Sequence, residues 1–571
     1  MPASVSNRKP AISIVEMARL DRIGAVPNLN RDRRRHPLGA VFAPSNVRAG
    51  SALAAVALVV AFAITLGARL SAPPAAPSGP APGASSAYAV VFDAGSTGNR
   101  VHVFEFAASS STSSIGALAN EVFRAETPGF RAFASDPDAA AAMLDPLIET
   151  ARAAVPAHLR PRTPLTLRAT AGLRLLPEGP EAADAILDAA RAKLEATEFL
   201  VRPDRVTLLD GADEGAFGWI AVNYLLGNDA AMRAGGGGGG ASGGFGGRKA
   251  AAGRSRAASG ASPSSGGTVA VADLGGGSAQ IAFAVDAAAA KAAPEGYVRS
   301  MSGDGGVHYY AHSFNGYGIM AARAKILSSA GAASRESSGA ASEASAAAEE
   351  RGHPCVPSGF RGGCEGKCYG LPPDASYVAV ARAEGADFEA CAAAARAAID
   401  GGEEGVGGGV GVGGVACAAS PCSFAGAWTT ERRSRMVGMS YLRERASEAK
   451  VRGFPASGPA AAVTITPGDL RAAGREVCRT AAKDLARAYP EAEEAHAPYL
   501  CLDVAYAYSL LTRGFGMGEE EEITLVDKIE REGVGGAVEA AWALGDAVAT
   551  MEAEAGTDAG VVKRPGGREI R

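Results

Sequence analysis

Two segments of this 571-residue chain share one local design at a constant offset. The segment Val90 to Phe104 reads VVFDAGSTGNRVHVF, and the segment Ala270 to Ala284 reads AVADLGGGSAQIAFA. In each, an apolar strand ends in an aspartate, a turn of small residues follows, and a strand with alternating apolar residues leads away, which predicts a β-hairpin. A turn without bulky side chains can direct several backbone N–H groups at one anion. The two copies together predict a phosphate site between two lobes.

A single Asp-x-Gly turn is a common hairpin signal, and alone it is a weak mark of a phosphate site. Two copies with matched flanks are much harder to obtain by chance, so the duplication favours a two-lobed phosphotransfer enzyme. The formal net charge of −5 and the isoelectric point near 5.9 give no general attraction to nucleic acid. We therefore predict no nucleic-acid partner.

The segment Ser51 to Ala68 carries no charged residue and is just long enough to span a bilayer as a helix. Five arginines between residues 31 and 48 precede it, and a Pro/Ala/Ser-rich stretch follows, so the positive-inside rule places the N-terminus in the cytosol. A cleaved signal peptide is the alternative, but the preceding stretch is long for an n-region. We expect a single-pass type II membrane protein with its catalytic part lumenal or extracellular, and a short span favours the Golgi.

The rest of the chain reads as an α/β protein with low-complexity insertions. Three Gly/Ser/Ala-rich stretches, near 233–268, 328–350 and 401–414, cannot bury a core and are expected to be disordered. Without them, strands alternate with helical patterns. The predicted organisation is a basic tail at 1–50, the membrane span at 51–68, a Pro-rich stalk at 69–87, lobe I at 88–210 plus 517–555, lobe II at 211–516, and a tail at 556–571.

All eight cysteines lie beyond the apolar span. An even number in an oxidising compartment predicts disulfides. The chain has no Cys-x-x-Cys pair and no histidine at zinc-finger spacing, so a metal role for these cysteines is a weak alternative.

Two further segments between the turns carry candidate chemistry. LTLRATAGLRLLP, from Leu165 to Pro177, is an apolar run that meets a small-residue turn. LLDGADEGAFGWIAVNYLLG, from Leu208 to Gly227, is a strand end followed by Asp213 and Glu214 and then an apolar helix. Such an acidic pair is either a helix N-terminal charge, worth under about 1 kcal/mol, or a catalytic carboxylate. Beside two phosphate turns, the catalytic interpretation of Glu214 is favoured.

These segments together resemble the apyrases and related nucleoside di- and triphosphatases, in the fold group of actin, chaperone ATPases and hexokinase. The five motifs of that family occur in order: DAGSTGNR at Asp93, RATAGLRLLP at Arg168, DGADEGAFGWIAVNYLLG at Asp210, DLGGGSAQIAF at Asp273, and YLCLDVAYAYSLLTRGFG at Tyr499. The resemblance covers roughly residues 88 to 550 and is strongest to the plant and algal branch. It implies two RNase H-like lobes with an active-site cleft between them, preceded by one transmembrane helix.

The resemblance also implies a reaction, the hydrolysis of nucleoside tri- and diphosphates to lower phosphates and orthophosphate. Glu214 matches the family's general base, and Ser278 and Gln280 would orient the attacking water. Asp93 and Asp273 would position a Ca²⁺ or Mg²⁺ ion through water. The implied nucleotide contacts are Ser96, Thr97, Gly98, Asn99, Arg100, Thr170, Gly275, Gly276, Gly277, Ser278, Ala279 and Gln280. The departures from the family pattern are small: Asp213 stands where Glu is common, and Asn99 where Ser is common.

Two details stay open at the level of sequence. Tyr506 could stack on the nucleobase, as could Tyr317, or either could be a core aromatic. By position, Cys391 with Cys422 and Cys478 with Cys501 resemble family disulfides. Pairing of Cys364 with Cys368 and of Cys355 with Cys417 is a guess, because eight cysteines allow about 105 pairings.

Other functions compatible with the turns are a polyphosphatase or sugar kinase of the same fold group, and a membrane-anchored nucleotide-binding protein without turnover. The Glu214 segment and the segment from Tyr499 to Gly516 favour nucleotide hydrolysis. The sequence predicts no particular oligomeric state.

Overall fold

The two duplicated hairpins lie in two separate β-sheets. The computed structural model describes residues 86–107, 116–228, 231–232, 267–301, 307–332, 352–365, 368–372, 375–401, 421–455 and 462–554. The strands of the first sheet are β1 (Ala87–Ala94), β2 (Asn99–Phe106), β3 (Leu118–Glu126), β4 (Pro164–Ala169) and β5 (Leu200–Leu208), in the order β3-β2-β1-β4-β5.

The strands that follow the first sheet in the chain are β6 (Ala270–Leu274), β7 (Ser278–Val285), β8 (Val298–Ser300), β9 (His308–Asn315), β10 (Arg361–Cys364), β11 (Tyr377–Val380), β12 (Met436–Ser440), β13 (Ala462–Ile465), β14 (Ile523–Val526), β15 (Lys528–Glu530) and β16 (Ala537–Glu539). Seven of these form the second sheet, in the order β13-β14-β12-β6-β7-β9-β8. Strands β10 and β11 form one small hairpin, and β15 and β16 form another.

Both sheets are built on one plan around a central strand. Strand β1 pairs antiparallel with β2 and parallel with β4, while β6 pairs antiparallel with β7 and parallel with β12. In the hairpins, Asp93 lies opposite Arg100, and Asp273 lies opposite Gln280. Central strands covered on both faces need continuous apolar sequence, which explains the runs that precede the two aspartates. The predicted α/β class and the two predicted hairpins are confirmed.

Helices cover both faces of each sheet. They are α1 (Pro137–Ala142), α2 (Asp145–Ala154), α3 (Ala171–Arg174), α4 (Pro180–Glu195), α5 (Gly211–Leu225), α6 (Ala287–Ala292), α7 (Ile319–Ala332), α8 (Phe388–Asp400), α9 (Tyr441–Glu448), α10 (Pro467–Arg479), α11 (Ala482–Ala488), α12 (Leu500–Ser509) and α13 (Trp542–Glu554). Helices α1 to α4 enclose one core on the outer face of the first sheet, and α7, α8, α10 and α12 enclose another on the outer face of the second. Helices α5 and α13 pack against each other between the sheets, in a third core.

The predicted assignment of residues 517–555 to lobe I is wrong for strand β14. This strand pairs parallel with β12 and antiparallel with β13, within the second sheet. Ile523 and Leu525 of β14 are buried in the core of the second lobe. Strand β14 therefore belongs to the second sheet, next to the parallel strands β6 and β12. Helix α13, further along the chain, instead contacts β1 of the first sheet.

The predicted membrane span at Ser51–Ala68 lies outside the described residues, as do most of the three insertions, and these predictions stay predictions. In the part of the chain that the structure describes, no helix is both long enough and apolar enough to cross a bilayer.

The disulfides correct part of the predicted pairing. Cys478 pairs with Cys501 and Cys364 with Cys368, as expected, but Cys391 pairs with Cys355 and not with Cys422. The N–H of Asp387 donates to the carbonyl of Pro354 at 2.9 Å, which holds the Cys355 segment at the start of α8. The Cα atoms of Cys355 and Cys391 are therefore 4.8 Å apart, within disulfide range. Cys422 is also disulfide-bonded.

Candidate active site

The two glycine-rich turns face each other and have the same internal hydrogen bond. The N–H of Gly95 donates to the carbonyl of Gly98 at 3.0 Å, and the N–H of Gly275 donates to the carbonyl of Ser278 at 3.0 Å. A β-carbon placed on Gly276 would lie 2.1 Å from Oγ of Ser96 in the other lobe. A side chain at position 276 would therefore force the Ser96 hydroxyl to move, and the structure brings the two predicted phosphate turns into contact.

The remaining residues of the turns divide into those near the gap and those that anchor the turns. The guanidinium of Arg100 donates to Oδ2 of Asp93 at 3.1 Å. The buried Asn99 amide donates to the carbonyl of Pro128 at 3.2 Å, so its side chain anchors the first turn. The Ala279 side chain lies in the core of the second lobe. The side chains at positions 99 and 279 are therefore engaged within the protein. Thr97, Gly98, Gly275 and Gly277 complete the two turns.

Asp93 and Asp273 are the second-to-last residues of the two central strands, and both are 8% exposed. One oxygen of each, Oδ1, is buried without a hydrogen-bond partner in the described part of the chain. Burial raises the pKa of Asp273 to about 6; a hydrogen bond from Ser440 opposes this, and the nearby charge of Asp93 adds to it. Two neighbouring buried carboxylates, each with an unused lone pair, make a donor set that suits a hard divalent cation.

Helix α5 begins beside the second hairpin, formed by β6 and β7, and carries Glu214 in its first turn. Asp210 caps the helix, because its carboxylate accepts from the N–H of Ala212 at 2.9 Å. A β-carbon on Gly211 would lie 2.4 Å from Oγ of Ser313 on β9, so glycine is required for this close approach. Asp210 and Gly211 thus place the start of helix α5 against the second sheet. Glu214, 7% exposed, lies beside the residues of that hairpin.

Arg174, at the end of α3, joins Glu214 to the second turn. Its Nη2 donates to Oε2 of Glu214 at 2.9 Å and to Oγ of Ser278 at 3.2 Å. Burial raises the pKa of Glu214 to about 7, the Arg174 charge opposes that rise, and the charges of Asp273 and Asp93 add to it. A carboxyl group with a pKa near neutrality is suited to take up a proton at physiological pH.

Ser278 and Gln280 form a short hydrogen-bonded relay beside Glu214. Nε2 of Gln280 donates to Oγ of Ser278 at 2.7 Å and to Oγ of Ser313 at 3.1 Å. Oγ of Ser278 accepts from both Gln280 and Arg174, so its own proton remains to be donated. Oε1 of Gln280 is buried without a partner among the described residues, which leaves an acceptor for a water molecule.

Three residues at this site were not assigned a role from the sequence. Arg174 lies inside a recognised motif, where its charge among apolar neighbours was the available signal. Ser313 and Ser440 lie outside the five motifs, and the fold brings them here. Ser440 has a φ of 56° at the end of β12, a conformation uncommon for residues other than glycine, asparagine and aspartate.

The other two predicted contacts have different outcomes. Thr170 is buried, and its N–H donates to the carbonyl of Ala94 at 3.2 Å, which places it directly beside the first turn. Tyr506 is 1% exposed in the core of the second lobe, where its hydroxyl donates to the carbonyl of Tyr317 at 2.6 Å. The prediction that Tyr506 stacks on a nucleobase is wrong, because a ring packed on all sides offers no free face.

Comparison with known proteins places the chain among nucleoside phosphatases. Residues 82–558 match the GDA1/CD39 (nucleoside phosphatase) family. The chain is 35% identical over 475 residues to "Probable apyrase 1" of Oryza sativa subsp. japonica, covering 81% of this chain and 82% of the rice protein. It is 34% identical over 474 residues to "Apyrase 1" of Arabidopsis thaliana, covering 81% of this chain and 84% of that protein.

A solved structure has the same fold. The crystal structure of nucleoside triphosphate hydrolases from Neospora caninum matches with a TM-score of 0.53 at 14% identity, covering 82% of this chain and 94% of that one. At this identity the likeness concerns the arrangement of the elements alone. The resemblance inferred from the five motifs is confirmed by the sequence matches.

Proposed function

This chain belongs to the GDA1/CD39 (nucleoside phosphatase) family and hydrolyses nucleoside tri- and diphosphates, and we propose that Glu214 is the general base of this reaction. The observation that carries the proposal is the buried Glu214 carboxyl, with its pKa near 7, in one hydrogen-bonded group with Arg174 and Ser278. The family match favours nucleotide hydrolysis over the polyphosphatase, sugar kinase and non-catalytic alternatives.

The side chains around Glu214 can hold one water molecule in a defined orientation. Such a water would donate one proton to the Glu214 carboxylate and the other to Oε1 of Gln280, and it would accept the proton of Ser278. One lone pair of the water oxygen then points away from the protein. As this oxygen attacks the terminal phosphorus, the bond to the bridging oxygen breaks, and Glu214 takes up the proton of the water. The products are orthophosphate and the shortened nucleotide, without a covalent intermediate.

The two turns are proposed to hold the phosphate chain. Ser96 and Thr97 supply hydroxyls from the first lobe, and the turns around Gly98 and Gly276 supply backbone N–H groups from both lobes. Phosphoryl transfer depends mainly on positioning and charge neutralisation, which groups converging from two sides provide. Arg100 brings a fixed positive charge to the same gap, next to Asp93.

Asp93 and Asp273 are proposed to hold a divalent cation, Ca²⁺ or Mg²⁺, through water. Their unpartnered Oδ1 atoms and their mutual repulsion fit such an ion. The ion supplies charge neutralisation for the phosphate oxygens when it is bound.

The location is proposed from the sequence. The uncharged segment Ser51–Ala68 with arginines before it supports a type II anchor, with the Golgi favoured. The three disulfides of the described residues suit an oxidising compartment. Immunostaining of cells after selective permeabilisation of the plasma membrane tests this, since a lumenal C-terminal part stays hidden until internal membranes are opened.

Orthophosphate release by the purified full chain tests the function. ATP, ADP, GDP and UDP are offered in separate reactions with Ca²⁺ or Mg²⁺, and again with excess EDTA. We expect release from ATP and from at least one of the three diphosphates, and its loss with EDTA. Release from polyphosphate alone, or transfer of phosphate to a sugar, would contradict the assignment.

A further inference from the structure

Tyr369 lies against both phosphate turns, although it belongs to none of the five motifs. It follows Cys368, which is tied to Cys364 by a disulfide. A β-carbon on Gly277 would lie 2.0 Å from the phenol oxygen, so this oxygen is directly against the second turn. Tyr369 is only 8% exposed.

The burial of Tyr369 does not come from a hydrophobic core. Its ring belongs to none of the three large apolar clusters of the two lobes. Its neighbours are polar groups of the site. The guanidinium carbon of Arg131, in a short helical turn of the first lobe, lies 4.2 Å from the ring centroid. The ring therefore bridges the two lobes at the point where the turns meet.

The phenol remains protonated at working pH. Burial raises its pKa strongly, while the charges of Arg131 and Arg174 act in the opposite direction without cancelling the rise. The buried hydroxyl has no hydrogen-bond partner among the described residues. A protonated phenol is a hydrogen-bond donor, and donors to phosphate oxygens form short, charge-assisted hydrogen bonds. A buried phenol next to Ser96 and Gly277 is thus placed as a donor for the phosphate chain.

We propose that the Tyr369 hydroxyl donates a hydrogen bond to a phosphate oxygen of the bound nucleotide, and that Arg131 holds its ring in place. This inference rests on the proposed function, because it names one more contact of the same site. Tyr369 would be a substrate-contacting residue. Arg131, which acts through the ring by a cation–π contact, would be a positioning residue.

The substitution Tyr369→Phe removes the hydroxyl and keeps the ring. We expect kcat/KM for ATP to fall by about 10- to 100-fold, since one hydrogen bond to a charged group is lost. Tyr489→Phe is the matched control, because Tyr489 is equally exposed, at 8%, but lies in the core of the second lobe. The control should keep the wild-type kcat/KM, and thermal melting should show both variants folded.

Arg131 is tested with two substitutions. Arg131→Lys keeps a cation for the ring and should retain most of the activity, whereas Arg131→Met should approach the loss seen in Tyr369→Phe. In the Tyr369→Phe background, Arg131→Met should cost little more, because the two residues act through one hydroxyl. Fully additive losses would contradict the positioning role of Arg131.

A binding measurement separates this inference from the proposed function. Calorimetry with a non-hydrolysable ATP analogue and Mg²⁺ should show weaker binding to Tyr369→Phe than to wild type or Tyr489→Phe, whether or not the chain turns over. Wild-type affinity together with wild-type kcat/KM in Tyr369→Phe would overturn the Tyr369 contact while leaving the hydrolase assignment intact. A wild-type chain that binds the analogue but releases no phosphate would instead contradict the function.

Discussion

Arg174 donates from one nitrogen, Nη2, to Glu214 at 2.9 Å and to Ser278 at 3.2 Å. Arg174 lies in the first lobe, Ser278 begins a hairpin of the second, and Glu214 lies on the helix between the two sheets. One guanidinium therefore joins the proposed base to both halves of the site. Because its charge opposes the effect of burial on the Glu214 carboxyl, Arg174 sets the pH at which this group can accept a proton.

The pH dependence of hydrolysis should reflect Glu214. The base acts as a carboxylate, and burial raises its pKa to about 7, so kcat/KM should fall as the pH falls through that value. Replacing Arg174 by Met removes the charge that lowers this pKa, and the midpoint should move to higher pH. The profile from pH 5 to 9 measures both. Arg191→Met, which removes a surface arginine of α4, serves as the control and should leave the midpoint unchanged. A wild-type midpoint near the ordinary glutamate value would contradict this prediction.

Glu214→Gln should increase the stability of the folded chain at pH 8. The folded-state pKa of about 7 lies above the ordinary glutamate value of 4.5, so ionisation of Glu214 destabilises the fold progressively between these two pH values, by up to about 3 kcal/mol above them. Glutamine resembles the neutral acid and avoids this cost. Denaturant unfolding should show a gain at pH 8 that shrinks toward pH 5. A variant less stable than wild type at pH 8 would show that the buried carboxylate is well compensated.

Asp546 connects α13 to the first sheet. It accepts from Oγ1 of Thr166 at 2.7 Å and pairs with Arg168 at 3.3 Å, and all three residues are buried. Asp546→Ala leaves Arg168 without its buried partner and should cost about 3–5 kcal/mol of unfolding free energy. Asp188→Ala breaks an exposed pair with Arg191 and should cost under about 1 kcal/mol. Equal losses in the two variants would contradict the assigned role of Asp546.

The pairing of Cys355 with Cys391 can be tested directly. Mass spectrometry of a non-reduced digest should contain a peptide linking these two cysteines and none linking Cys391 to Cys422. The double substitution Cys355→Ser with Cys391→Ser should lower the free energy of unfolding by about 2–4 kcal/mol, because the unfolded chain gains freedom. Recovery of a linked Cys391–Cys422 peptide would refute the pairing.

The sequence predicts those residues of the site whose position depends on their near neighbours in the chain. The two hairpins follow from strand alternation and small-residue turns, and the duplicated aspartates place Asp93 and Asp273 by symmetry. Glu214 follows from its position at the start of an apolar helix. Each of these signals lies within a few residues of the group it identifies.

Contacts between distant segments could not be predicted in this way. Tyr369 and Ser440 reach the site only because their strands and loops pack there, and no spacing in the sequence marks them. Tyr506 lies in a recognised motif, but every residue of its helix is buried, so its ring packs in the core of the second lobe. Strand β14 was assigned to the wrong lobe because pairing with β12 depends on topology and not on its own four residues.

The most direct test of the account compares Glu214→Gln with Asp213→Asn. The two acids are adjacent on α5, but Asp213 pairs with Arg299 and has no part in the proposed reaction. Orthophosphate release and nucleotide affinity are measured for both variants and for wild type. We predict that Glu214→Gln loses at least about 100-fold in kcat while its nucleotide affinity stays within a few-fold, and that Asp213→Asn keeps most of its activity. Near-normal phosphate release by Glu214→Gln would contradict the central claim.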